Sequence, residues 1–549
     1  MAENDRQLFS LSQETLEVPL YEPTFNWANA MTIDLDIAKM SELMAKGTFD
    51  DFMKAKQVYE FGAFAWPYAE MQIDGGSPVE VKKGTPVTGY TMLNDPVHGY
   101  VLEHVKPRQG KFKIEYDIDS LSKQSATSQC SVGGNPNPNF RNCFTEKGAI
   151  RVDGIKEPLH YEYNKEVDNR NFRTIQRLST LAGSKMKMCA NCQYFHDFKK
   201  ANDYFQLPSY ADAWITAALT GTAVEIPEGG RGGADFSTFS FSSRAHAVEY
   251  AASYMAVTQF VLREMEEAFY TCQADCDNGT KCFETALHHV DTAVAFYTGS
   301  LVHTKGEDKG ILLYSLANRM CTKFKTCGKN GNSNYGTSVV NKQIFEEFHK
   351  SQQAALHDQC PTVRQAKEAI AHKINVPLIQ ATLEAAYKRD SITGKDSSQE
   401  EEEEAIGATL AATVEPLVAA CNQADSQLIH DNLKTGADST SFLDVKRALE
   451  RNYKCMGVTC EMIGALHNSR TGKPYPGAEA CVTPSEMKEK LKTHLPWASI
   501  TFVLLVIFSW WSYKKMQAKW NERKRRLKRI DEMNDLSDSD DEDEHMIFT

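Results

Sequence analysis

One segment constrains this chain more than any other: LPWASITFVLLVIFSWW, from Leu495 to Trp511, followed by Lys514, Lys515, Lys519 and the run RKRRLKR from Arg523 to Arg529. Crossing a bilayer as a helix takes about 20 apolar residues, with roughly 17 as the lower limit. This run has 17, or 19 with Ser512 and Tyr513, carries no charge and has tryptophan near both ends, where interfacial aromatics sit. Lysine and arginine close behind a span resist translocation. The predicted topology is one C-terminal transmembrane helix at 495–513, with 1–494 outside the cytosol and a basic-then-acidic tail, 514–549, inside it.

All 14 cysteines precede the span and the tail has none. An even set confined to one side of a membrane indicates an oxidising compartment. Short-range bridges Cys130–Cys143, Cys321–Cys327 and Cys455–Cys460 are plausible, and spacing alone leaves the connectivity open. Cys189-Ala-Asn-Cys192 is the one C-x-x-C, with no second copy to complete a zinc ribbon and no βαβ pattern before it to suggest a thioredoxin-like site. The single N-glycosylation sequon, at Asn278, falls on the same outer side. Such a topology calls for a signal, yet MAENDRQLFSLSQETLEVPLYEP has neither a basic n-region nor an apolar h-region. Either a signal peptide is missing from this start or entry is unconventional.

The chain carries 61 basic and 73 acidic residues. The tail holds 9 and 10 of these, leaving the outer part with 52 and 63, a net of −11. That charge argues against nucleic acid or anionic lipid as its partner. In the tail, the basic stretch suits anionic inner-leaflet lipids. LSDSDDEDE (Leu536–Glu544), with Ser537 and Ser539 inside it, suits an acidophilic kinase or an endocytic adaptor, or is simply a solvated tail.

The pattern predicts a mainly α, multi-unit helical ectodomain stapled by disulfides, because 494 residues exceed what one core holds. Residues 1–31 read as a polar extension. A first helical unit spans 32–228, with an irregular insertion and some short strands at 73–172. A second spans 229–395, an acidic linker 396–404 contains Glu400–Glu404, and a third helical unit with a membrane-proximal stalk spans 405–494. Helices are expected at 244–271, 281–302, 339–357, 362–389, 405–434 and 441–452.

Two of these helices could carry chemistry. V-L-R-E-M-E-E-A-F-Y (261–270) has a core stripe of Val257, Val261, Met265 and Phe269, which leaves Glu264 and Glu267 three apart on a neighbouring face. R-E-x-x-E presents two hard carboxylate oxygens one turn apart, the arrangement that suits a hard metal ion. In C-F-E-T-A-L-H-H-V-D (282–291), Glu284, His288 and Asp291 share a face at i, i+4 and i+7. A bridge among Cys272, Cys276 and Cys282 would hold the two helices antiparallel and bring these groups together. The bland reading is an Arg263–Glu267 surface pair worth about 0.3–0.5 kcal/mol. No P-loop, nucleophile elbow, H-E-x-x-H or dinucleotide fingerprint is present, and the paired E-x-x-H motifs of a di-iron oxidase are missing. A non-enzymatic protein is expected.

A-L-H-H-V-D-T-A-V-A-F-Y-T-G-S-L (286–301) and Y-S-L-A-N-R-M-C-T-K-F-K-T-C-G (314–328) resemble the algal iron-assimilating, low-iron-inducible periplasmic proteins, which include the diatom phytotransferrins and the high-CO2-inducible proteins of green algae. D-L-D-I-A-K-M (34–40), D-F-M-K-A-K-Q-V-Y-E-F-G (51–62), F-K-K-A-N-D-Y-F-Q-L-P-S-Y-A-D-A-W-I-T-A-A-L (198–219), V-E-P-L-V-A-A-C-N (414–422) and Y-K-C-M-G-V-T-C-E-M-I-G (453–464) extend the resemblance in order over about 32–465. The anchored architecture is similar to the diatom type. The resemblance implies capture of Fe(III) at the plasma membrane, carbonate as synergistic anion, and internalisation into endosomal vesicles. Glu264, Glu267, Glu284, His288, Asp291 and Tyr297 supply the ligand types transferrins use, and Arg263 a cation for the anion. The alternatives are a structural or adhesive ectodomain without metal, or a high-CO2-inducible-type periplasmic protein. A periplasmic peptidase lacks a zinc motif here.

Overall fold

The computed structural model describes residues 21–24, 33–63, 68–90, 96–101, 104–116, 131–132, 135–136, 147–163, 174–180, 196–273, 283–301, 310–392, 397–481 and 507–530. The chain forms two compact units, Met1–Cys481 and Val482–Thr549.

The first unit is mostly helical. Its long elements are α1 (Ile33–Met44), α2 (Phe49–Phe61), α3 (His196–Phe205), α4 (Tyr210–Thr220), α5 (Phe241–Tyr250), α6 (Val257–Gln273), α7 (Phe283–Thr298), α8 (Leu313–Phe324), α9 (Val339–Leu356), α10 (Cys360–Ile392), α11 (Ser397–Cys421), α12 (Gln423–Leu433), α13 (Phe442–Asn452) and the single turn α14 (Cys460–Ile463). A π-helical segment, Ala251–Ala256, joins α5 to α6 without a break. α6 packs along α7, α9 along α10, and α10 along α11, which also covers α5 and α12. Start signals agree with the chemistry of caps: Thr48, Ser441 and Thr459 side chains accept the first free amides of their helices. The expected 405–434 helix is two. Asn422 is extended and accepts from the amides of Ala424 and Asp425, capping α12.

Buried residues from Tyr21 to Ala478 form one apolar cluster. The boundaries expected at 229 and at 396–404 do not divide it. Glu400–Glu404 is not a linker but the first turns of α11, where negative charge favours the helix dipole. Glu403 meets Lys388, Glu404 meets Arg389 and Glu402 meets His246. The stretch 1–31 is not uniformly polar surface either: Tyr21 is buried in the core.

The insertion expected to be irregular contains a closed antiparallel barrel, ordered β1-β4-β3-β2-β7-β8. Its strands are β1 (Tyr68–Ile73), β2 (Pro86–Tyr90), β3 (Pro96–Val101), β4 (Lys111–Tyr116), β7 (Lys147–Val152) and β8 (Leu159–Tyr163), with β5 (Ser131–Val132) and β6 (Asn135–Pro136) forming a separate small hairpin. Alternate residues point inward, as the two-residue pleat requires. Phe112 and Ile114 of β4 and Ile150 and Val152 of β7 belong to a second core separate from the helical one.

Four disulfides lie among the described residues. Cys321–Cys327 closes the end of α8, as its spacing suggested. Cys455 pairs with Cys421 and Cys460 with Cys481, not with each other. Cys272 pairs with Cys360 across the end of α6 and the start of α10, so it does not close the α6–α7 loop. Cys130, Cys143, Cys189, Cys192, Cys276, Cys282 and Asn278 lie outside the described residues.

Among the described residues, one helix is long and apolar enough to span a membrane: Ser398–Cys421, two thirds of whose apolar window is buried in the bundle. It serves as a core helix. Of the 495–513 span only 507–513 is described, as the start of an exposed helix running to 530. Along that helix Lys514, Lys515 and Lys524 lie over the rings of Trp510, Trp511 and Trp520.

Candidate functional site

α6 is amphipathic in an unusual sense, for Glu264, Glu266 and Glu267 are all buried. Three buried acids cannot share one face of a helix, so their counter-charges come from different directions. Glu264 accepts from Arg263 Nη1 at 2.6 Å and meets His289 Nδ1 at 2.7 Å. Arg263 Nη2 is 3.8 Å from Glu267, and the guanidinium lies over the Phe260 ring. Glu266 turns the other way, into a buried ion pair with Lys367 of α10. Burial pushes the Glu264 carboxyl up, but His289, Arg263 and the more distant His288 outweigh it and hold it below the ordinary range. The carboxylate is therefore favoured in its charged form although embedded, because neighbouring positive charge and hydrogen bonds stabilise it.

The expected partners on α7 divide. His289, not His288, reaches Glu264; His288 is exposed. Asp291 is buried and points to the N-terminal segment, accepting from the Tyr21 hydroxyl at 2.7 Å and the Thr24 amide at 2.8 Å. Burial, then the Asp291 charge, keeps the Tyr21 hydroxyl protonated far above its usual range. Tyr297 is fully buried among Tyr314, Phe345 and Phe348 and donates to Asn341 Oδ1. Burial raises its pKa well above the ordinary value, which disfavours the phenolate a metal would need. Glu284 sits in the first turn of α7. Helical spacing alone places Glu284, His288 and Asp291 on one face. From Val290 to Gly299 every residue is buried, so polar groups there are distributed by their partners.

The structure thus brings together Arg263, Glu264, Glu267 and His289. Among the described residues, the one set of three ligand-type side chains with converging atoms is Cys272, Asp358 and Cys360, and those two sulfurs are bonded to each other. His289 was missed because i, i+4, i+7 counting favoured its neighbour. Lys367 was missed because nothing local marks a lysine as the partner of a distant glutamate.

Compared with known proteins, the chain matches no family model, no curated protein and no solved structure.

Proposed function

We propose that this chain is a membrane-tethered, non-enzymatic ferric-iron-binding protein of a cell surface, with the α6–α7 pair as the unit that takes the ion. The observation that carries the reading is Glu264: a buried, charged carboxylate held between an imidazole and a guanidinium, one turn from a second buried carboxylate. Hard anionic oxygens with one imidazole suit Fe(III), and Arg263 is the cation beside which carbonate would sit. The sequence resemblance to the algal low-iron-inducible proteins supports the same class. On this reading the 495–513 segment anchors the chain at the plasma membrane, and the acidic tail recruits endocytic adaptors that carry loaded protein into endosomes. Iron is the cargo, and its release inside the acidifying endosome is a proton-competition event, since ligand carboxylates and imidazole must be deprotonated to bind.

Equilibrium dialysis of the full-length protein with Fe(III), with and without bicarbonate, tests this. Tight binding that strengthens with bicarbonate, and falls about 10–100-fold in Glu264→Gln/Glu267→Gln and in His289→Ala, is the expected result. One observation favours a structural ectodomain instead: Arg263 and His289 already compensate Glu264. Absence of iron from the dialysed protein would decide for it.

A further inference from the structure

Along α6, bordered by Arg263 of the Glu264 cluster, lies a cavity of about 70 Å³. Three interruptions of helical regularity meet around it. Tyr254 and Met255 belong to the π segment Ala251–Ala256, Pro416 breaks the ladder of α11, and Asn375 and Leu378 flank Pro377 inside α10. A π turn inside an α-helix is rare and frequently marks a functional site, while an interior proline cannot donate to the carbonyl four residues back. The bundle gives up regular ladders on three helices in the place where it leaves space.

The lining is apolar with a polar end. Tyr254, Met255, Leu262, Leu378 and Leu417 provide the apolar walls. Thr258 and Gln259, each more than nine-tenths buried, provide the polar end. The Thr258 hydroxyl and both polar atoms of the Gln259 amide make no hydrogen bond of normal geometry within the protein, although the amide lies against the Tyr210 hydroxyl. Leaving such groups buried costs about 1–3 kcal/mol each unless something occupies the space they face. The charged groups at the rim are already matched: Glu266 pairs with Lys367, and Arg263 with Glu264. A charged guest would therefore enter without a counter-charge, which is strongly unfavourable in a desolvated site.

We propose that this cavity is a binding site for a small, neutral, amphiphilic molecule, an alcohol or amide of about three to five non-hydrogen atoms. Its oxygen meets Gln259 and Thr258, and its alkyl part lies between the π segment and α11. The size follows from the volume, about half that of a cavity that takes benzene, and several times what one water needs. This assignment does not rest on the iron reading, although Arg263 borders both sites.

The test uses full-length protein carrying 13C-methyl methionine, with the Met255 signal assigned by Met255→Leu. The probes are isobutanol and N-methylacetamide, and their charged counterparts isobutyrate and isobutylammonium. Both neutral probes should shift the Met255 methyl saturably, and the charged pair should bind at least about tenfold more weakly. Gln259→Leu, which keeps the volume and removes the amide, should weaken N-methylacetamide about five- to hundredfold. Thr258→Val, which is isosteric, serves the same purpose if the first variant fails to show native circular dichroism. Leu417→Trp, which fills the space, should abolish the response to every probe. Equal binding of isobutyrate, N-methylacetamide affinity unchanged in both polar variants, or a Met255 signal indifferent to all probes because only water enters would each overturn the assignment.

Discussion

The buried pair Glu266–Lys367 joins α6 to α10, and its side chains are only 4% and 5% exposed. Solvent screening, which reduces surface pairs to about 0–1 kcal/mol, does not apply at that depth. Lys367→Met keeps the length of the side chain and removes the cation that faces Glu266. Deleting one partner of a buried pair costs about 3–5 kcal/mol, because a desolvated carboxylate loses its counter-charge. At about 2.1 cal/mol/K per residue over a cooperative body of roughly 300–400 residues, that loss lowers the melting temperature by about 4–8 °C. Glu266→Leu/Lys367→Met should recover most of it, since replacing both charges by apolar groups is near neutral or stabilising. Thermal melts followed at 222 nm for wild type, single and double variants provide the measurement. A single variant within about 1 °C of wild type, or a double variant worse than the single, would refute the reasoning.

Three further outcomes follow from other contacts. Cys272 and Cys360 are 88 positions apart, and replacing both with alanine should cost about 2–5 kcal/mol by the chain-entropy account, read as a lower denaturant midpoint. Burial pushes the carboxyl of Asp34 up to about 6 against the opposing bonds from Ser300 and Leu301. The folded state then holds its proton more tightly than the unfolded chain, so stability contributed by protonated Asp34 falls by about 3 kcal/mol as pH rises from about 4 to 6. Asp34→Asn should flatten the denaturation midpoint across that window. Burial pulls the His430 pKa down, yet the Glu415 contact outweighs it and leaves the ring above its ordinary value. Stability from that pair is fully present at low pH and lost as pH rises through the raised value; His430→Gln should remove this decline above about pH 6.5 in the same titration.

The helices were legible because their apolar residues repeat with the period of the structure they form. Val257, Val261, Met265 and Phe269 are buried as the stripe required. The Cys321–Cys327 bridge was legible because six positions bring two cysteines together without help from the rest of the fold. The barrel was not, because strands as short as Pro86–Tyr90, separated by glycine and proline, show alternation over too few positions to reveal closure. Only the pairing of β1 with both β4 and β8 makes it a barrel, and that is a property of distant segments. The same limit applied to the site. Glu264 and Glu267 stood out locally, whereas the choice of His289 over His288, the Lys367 partner and the Tyr21–Asp291 contact depend on which elements pack together. One local signal was strong enough to mislead: five consecutive glutamates suggest a solvated linker, but at a helix start with Lys388, Arg389 and His246 nearby they are well placed.

The barrel also determines the order in which the helical body can be completed on the ribosome. α1 and α2 emerge first, yet the helices they pack on, α4 and α5, lie beyond the strands. At about 5–20 residues per second, the stretch between Phe61 and His196 takes roughly 7–27 s to synthesise. For that interval the apolar faces of the first two helices, with Met40, Phe52 and Tyr59 at their centres, have no final surface to cover them. The chain's most vulnerable moment is therefore a nascent one. Shortening the wait, by replacing the barrel with a brief linker, would change the yield of folded protein before it changed the stability of the finished molecule.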